Sequence, residues 1–205
     1  ERLFSQGVYG RAVQEYLIYL NGYGDIVAST GFAPGRVRYR IGSAFQQLAQ
    51  QKLEAQDKGG ANQLLEQAIA QYDTLVADAA ASYYLDALFN RSLAFQSLGT
   101  PDALGRALEG YETVLADERD RGYMQRALIQ LGELHFGRGE YARAAQRAQR
   151  LLDEFPNSEY LNEAQMRLAL SRPSLGDTDG AVAAFLAIPE DSPHFARARL
   201  GGGHT

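Results

Sequence analysis

The sequence predicts an all-α fold, a solenoid of antiparallel helix hairpins, and three observations carry that prediction. First, AIAQYDTLVAD, Ala68 to Asp78, is echoed as ALEGYETVLAD, Ala107 to Asp117, an offset of 39 residues. A further offset of 37 carries the pattern onto AAQRAQRLLDE, Ala144 to Glu154. Second, small or apolar residues recur four apart in every copy, the spacing that lines one face of a helix. The same frame takes in Ala12, Tyr16 and Leu20 upstream, and Ala181, Phe185 and Ile188 downstream. Third, the segments between copies are rich in Ala, Leu, Gln and Arg, and none shows the sustained period-two alternation of a strand. With two helices per period, each hairpin can bury its apolar face only against its neighbours, so the repetition is a packing requirement.

Taken in order, the elements form hairpins over roughly 1–20, 35–78, 80–117, 121–155 and 159–188, with the start of a further helix at 193–200. All belong to one domain spanning 1–200, followed by a flexible tail at 201–205. Breaks are expected at Lys58-Gly59-Gly60, Gly99-Thr100-Pro101-Asp102, Gly137-Arg138-Gly139 and Gly176-Asp177. Glycine closes a helix at positive φ, and Asp102 or Asp177 can accept from the free N–H groups of the next helix. Residues 21–35, NGYGDIVASTGFAPG, exceed the usual hairpin connection and read either as a functional loop or as a longer helix packed on the scaffold. Chain ends are unfinished. LFSQG supplies the tail of a helix, SPHFARARL starts another, and no polar cap is visible. The sequence is therefore expected to be a fragment or processed form whose uncapped repeat ends self-associate.

A hydrophobic content of 45% with 22% charged residues is globular, and a net charge of -5 argues against a general nucleic-acid binder. The chain has no cysteine, which removes disulfides and thiolate chemistry, and no apolar run approaches the roughly 20 residues that cross a bilayer. The histidines, His135, His194 and His204, lack metal-ligand spacing, and His135 is expected to be packed and hydrogen-bonded. Gly137-x-Gly139 and Gly201-Gly202-Gly203 have no strand-loop-helix context for phosphate, and no nucleophile motif occurs. Neither an enzyme nor any cofactor or metal is expected.

QRALIQLGELHFGRGEYARAAQRAQRLLDEFPNS, Gln125 to Ser158, resembles the tetratricopeptide repeat (TPR) family. Leu128, Leu131 and Gly132 stand at its first-helix positions, Gly139 and Tyr141 at the turn, Ala144 and Ala148 on the close-packed second helix and Pro156 at the exit, over 34 residues. Ile41-Gly42 and Phe45 keep the first-helix pattern, whereas the copy around Leu93-Ala94 lacks its aromatic and the last carries Pro173. The EFPNSEYLNEAQMRLA junction is similar to bacterial periplasmic and outer-membrane-assembly members. The resemblance implies a right-handed superhelix. Where Tyr16, Tyr72 and Tyr111 replace the later alanine, either the groove is wider or the ring points to its edge with the hydroxyl in water.

In this family the first helices line a concave groove. Carried onto this chain, the partner-binding positions are Arg36, Tyr39, Arg40, Arg91, Phe95, Arg126, Glu133, Phe136 and Arg167, with Ser43, Ile129, Met166 and Leu170 beside them. Arginine offers a bidentate fork to carboxylates and the aromatics can hold apolar side chains, so the expected partner is a protein or peptide with acidic groups. The implied function is a non-enzymatic interaction scaffold of a bacterial envelope assembly, periplasmic or outer-membrane-associated, with a cytoplasmic location the other choice. The alternative is a structural spacer or self-association array, in which the arginines are merely solvated.

Overall fold

The structure is a computed structural model whose described residues are 1–29, 34–190 and 192. Every regular element among them is a helix: α1 (Arg2–Ser5), α2 (Tyr9–Ser29), α3 (Pro34–Glu54), α4 (Lys58–Val76), α5 (Tyr84–Leu98), α6 (Pro101–Ala116), α7 (Arg121–Gly137), α8 (Tyr141–Glu154), α9 (Leu161–Ser171) and α10 (Thr178–Leu186). A short 3-10 turn, Pro173–Leu175, sits between α9 and α10, where Pro173 ends the preceding helix. The fold is all-α and of the helical-repeat class, with successive helices packed on one another within each unit, α1 to α5 and α7 to α10. It divides into two compact units, Glu1–Gly110 and Tyr111 onward, with the division inside α6.

In the first unit α2 packs on α3, α3 on α4 and α4 on α5, while α3 and α5 also touch directly. Val13, Val37, Ile41 and Ala44 form one core layer, covered by Phe4, Tyr9 and Tyr16, and Ala68, Tyr72, Leu75 and Ala87 form another. Tyr72 is 0% exposed, and its hydroxyl donates to Gln46 Oε1 at 2.6 Å. Of the two expectations for this tyrosine, a hydroxyl in water is corrected and a widened groove fits. Space for the ring comes from Gly42 on α3, where a Cβ would lie 2.7 Å from Tyr72 Cε1. Tyr111 in the second unit is also fully buried, and burial pushes its phenol far above the ordinary range.

In the second unit α7, α8 and α9 pack on one another and α10 packs on α9. Ala144, Ala148 and Leu151 are buried on α8, as the close-packed second helix requires. Met166, Ala169, Ala184, Phe185 and Ile188 close the core between α9 and α10. The acid after each echo tyrosine is paired within its own unit: Asp73 with Arg91, and Glu112 with Arg147.

Gly99 (φ 70°) and Gly176 (φ 78°) take the left-handed conformation that glycine adopts without a Cβ penalty. Asp177 caps α10, accepting from Gly180 N at 2.9 Å. Two turn assignments change. Lys58-Gly59-Gly60 is the first turn of α4 rather than a break, because Asp57 accepts from Gly60 N at 2.9 Å and Gln56 takes the positive φ of 60°. Asp102 lies inside the first turn of α6, and the cap is Thr100, whose hydroxyl accepts from Ala103 N at 3.3 Å. Residues 21–29 continue α2, so the longer-helix reading holds there, while 30–33 lie outside the described residues. His194, His204, the 193–200 helix and the 201–205 tail also lie outside them.

Candidate functional site

Arg36 and Arg40 sit one turn apart on α3 and converge on one carboxylate, that of Glu1. Arg36 Nη2 is 3.1 Å from Glu1 Oε1, and Arg40 Nε is 3.5 Å from Glu1 Oε2. The Arg40 guanidinium also lies 5.1 Å from the centre of the Phe4 ring. Beneath them a cleft of about 350 Å3 opens between α2 and α3, walled by Tyr16, Tyr19 and Val37 with Glu15 at its side. The Tyr16 hydroxyl is buried there without a hydrogen-bond partner among the described residues. Burial, and then the Glu1 carboxylate, hold its phenol above the ordinary range against the pull of Arg40 and Arg36, so it stays a proton donor at neutral pH.

Arg91 and Phe95, the pair expected on α5, come together but face elsewhere. Arg91 Nη1 donates to Asp73 of α4 at 2.8 Å, and Phe95, 4% exposed, lies under both Arg91 and Arg106, the latter 4.2 Å from its centre. Phe95 is thus a packed ring and presents no pocket wall to a ligand. Tyr39 stacks on Tyr83 at 5.5 Å and its hydroxyl accepts from Asn90 Nδ2 at 3.2 Å.

The cleft that does open between α3 and α5 holds about 260 Å3. Ser43, Gln46, Gln47 and Gln50 line it from α3, and Asn90, Leu93 and Ser97 from α5. Of these only Ser43 is among the sequence-expected positions. The missed signal is the run of side-chain amides at Gln46, Gln47 and Gln50 on α3, placed at helical spacing.

In the second unit Arg126 stacks on Tyr123 at 5.1 Å and Arg167 on Phe136 at 4.8 Å, with Tyr141 edge-on to Phe136 at 5.2 Å. Arginine and aromatic there form joined pairs instead of separate charges and pockets, and each ring desolvates part of a guanidinium. Glu133 is exposed, Leu170 half-buried, and Ile129 and Met166 belong to the core. His135 is 4% exposed with Nδ1 2.7 Å from Glu140 Oε2, the packed and bonded role expected of it. That bond, aided by Arg138 and Arg143, holds the Glu140 carboxyl below its usual range. No cluster of three or more His, Asp or Glu side chains suited to a metal gathers among the described residues, and no helix there is long and apolar enough to cross a membrane.

Residues 126–158 and 163–194 match the tetratricopeptide repeat family. These stretches lie in the second unit, and the likeness to that family is shown for them. Repeats of this kind generally mediate protein–protein interaction, and proteins built from them are typically scaffolds without catalysis. No curated protein matches the chain.

Proposed function

We propose that this chain is a non-enzymatic protein-interaction scaffold that binds acidic peptide or partner-domain segments along its first helices, within a bacterial envelope assembly at the periplasm or outer membrane. One observation carries the binding half of this reading: two arginines converge on a single carboxylate above an apolar-walled cleft. Glu1 stands in for the incoming acid, and the Tyr16 hydroxyl adds a third donor. The second unit offers a partner a surface of its own at Arg126, Glu133, Phe136 and Arg167. The envelope setting rests on the similarity of the junction at 154–169 to periplasmic members of the family.

The test is fluorescence anisotropy with a labelled Glu- and Leu-rich peptide. Changing Arg36 and Arg40 together to Ala should weaken binding at least about tenfold, since bonds to charged groups contribute about 1.5–3 kcal/mol. Added salt should weaken the wild-type complex in the same direction. Unchanged affinity in the double variant discards the arginine site.

A second reading, self-association of repeats, is favoured by exposed apolar side chains in each unit, Ile18 (67% exposed) on α2 and Leu186 (80%) on α10. A strictly monomeric mass in light scattering at high concentration removes it.

A further inference from the structure

We propose that Asn21 and Gly22 on α2 form a self-modifying site, at which the chain converts Asn21 to isoaspartate with water as the only co-reactant and thereby ends α2 at Leu20. This stands apart from the scaffold reading, since Arg36 and Arg40 take no part. The reaction needs an asparagine amide that the main-chain nitrogen of the next residue can reach, and glycine, lacking a side chain, leaves that nitrogen least obstructed. The chain has five asparagines, Asn21, Asn62, Asn90, Asn157 and Asn162, and only Asn21 is followed by glycine. Surroundings separate it further. Asn21 and Gly22 are both exposed, and nothing lies within 4 Å of the Gly22 Cβ position. Asn62, Asn90 and Asn162 are half-buried inside α4, α5 and α9, and Asn90 Nδ2 donates to the Asp86 carbonyl oxygen at 2.8 Å. Asn157 is exposed in the turn after α8, but the nitrogen it needs is that of Ser158, which donates to the Phe155 carbonyl oxygen at 3.0 Å. Asp179-Gly180 has the same glycine, and there the nitrogen is held by Asp177 at 2.9 Å.

Within a helix the Gly22 nitrogen is directed along the axis, away from the Asn21 side chain, so the reaction waits on local opening. The composition of α2 favours opening at this point. Among its described side chains, Tyr9, Val13, Tyr16, Tyr19 and Leu20 pack on the core, and the next, Asn21, is exposed. Gly22 and Gly24 follow, each with the lowest helix propensity short of proline. When the stretch opens, Gly22 N attacks Asn21 Cγ: the N–Cγ bond forms and the Cγ–Nδ2 bond breaks. The N–H proton ends on the departing amide nitrogen, which leaves as ammonia, and a cyclic imide remains. Water then adds to either imide carbonyl and cleaves its bond to nitrogen. Addition at the Asn21 main-chain carbonyl leaves the chain running through Cγ as isoaspartate, and addition at Cγ leaves ordinary aspartate. No electrons are transferred. Isoaspartate puts an extra methylene into the main chain, which breaks the regular spacing of the helical hydrogen-bond ladder. Either product adds a negative charge to a chain of net charge -5.

The experiment ages the chain in neutral and mildly alkaline buffer made with oxygen-labelled water, and follows every asparagine by peptide mapping and mass spectrometry. A free peptide of residues 17–26 serves as the clock for the unprotected reaction. Asn21 should take up label at least about tenfold faster than any other asparagine, and faster at higher pH because the attacking nitrogen must lose its proton. Helical circular dichroism should fall as isoaspartate accumulates. Gly22→Ala, at an exposed position with room for a methyl group, should keep the fold and slow the reaction at least about tenfold, because alanine shields the nitrogen and holds the helix. Asn21→Asp carries the product's charge without the added methylene and should keep the helical signal. Label appearing first at Asn157, no label at Asn21 by the time the free peptide has fully converted, or an unslowed Gly22→Ala variant would each overturn the site. Full conversion to isoaspartate with an unchanged helical signal would overturn the break in α2.

Discussion

Gly42 on α3 and Gly132 on α7 hold the same place in the repeat, each the small residue of a first helix, yet their surroundings differ. A Cβ at Gly42 would meet the Tyr72 ring at 2.7 Å, and that ring is fully buried and hydrogen-bonded. At Gly132 the nearest atoms would be Arg167 Cγ at 3.7 Å, the Ala144 carbonyl oxygen at 3.8 Å and Arg147 Cβ at 3.9 Å, all ordinary contacts. In the first unit a large residue on the second helix demands a glycine on the first; in the second unit α8 carries alanine, and the glycine is a tolerated weakness. One repeat pattern therefore hides two packing solutions.

The comparison can be broken most forcefully at the tyrosine. Tyr72→Ala should destabilise by about 3–5 kcal/mol, as large-to-small changes of buried aromatics do, measured by urea unfolding. Gly42→Ala should cost about 1–3 kcal/mol through overpacking, partly offset by the roughly 1 kcal/mol by which alanine favours a helix over glycine. Gly132→Ala has only the favourable part and should stabilise by up to about 1 kcal/mol, so the two substitutions are expected to have opposite signs. If both destabilise alike, the distinction drawn between the units fails.

The smallest expected effect is in acid. Arg119 holds the Asp117 carboxyl below its usual range, and His135 does so for Glu140, while Lys52 does the same for Asp57 in the first unit. For carboxyls depressed in the folded state, the stabilisation is complete above the unfolded value near 4 and is lost as pH falls through the lower folded value. Glu140→Gln should therefore lower the neutral plateau slightly and leave the acid end unchanged, flattening the acid limb of a stability profile taken between about pH 6 and pH 2. All three carboxylates are partly exposed and so screened by solvent, and the changes are small shifts in the urea midpoint.

The helical class was legible because four-residue spacing of small and apolar side chains survives along the chain from Ala12 to Ile188. Turn chemistry was legible where glycine or a capping acid stood alone, as at Gly176-Asp177, and not where Gly59-Gly60 looked like a break while Asp57 held the Gly60 N–H in the first turn of a helix. The α2 extension was obscured by Gly22 and Gly24, whose low propensity was overridden in the folded chain. For the binding surface the register was the difficulty. A single step along a helix turns a side chain by about 100°, enough to move the inner face of α5 from Arg91 and Phe95 to Asn90, Leu93 and Ser97. Whether Arg91 points to a groove or to Asp73 depends on the tilt between two helices, which no local pattern records. The partly buried Tyr72–Gln46–Asn90 chain joins residues 26 and 44 positions apart and was beyond any window of local periodicity.

That chain has an optical consequence. The protein contains twelve tyrosines and no tryptophan, so its near-ultraviolet spectrum is a tyrosine spectrum unmasked by indole. Tyr72 is shielded from solvent, and its phenol is tied to an amide on the floor of the α3–α5 cleft. Anything that tugs on Gln46 changes the hydrogen bond of a chromophore already in place, so ultraviolet difference spectroscopy reports on that cleft without a dye, a tag or an added residue.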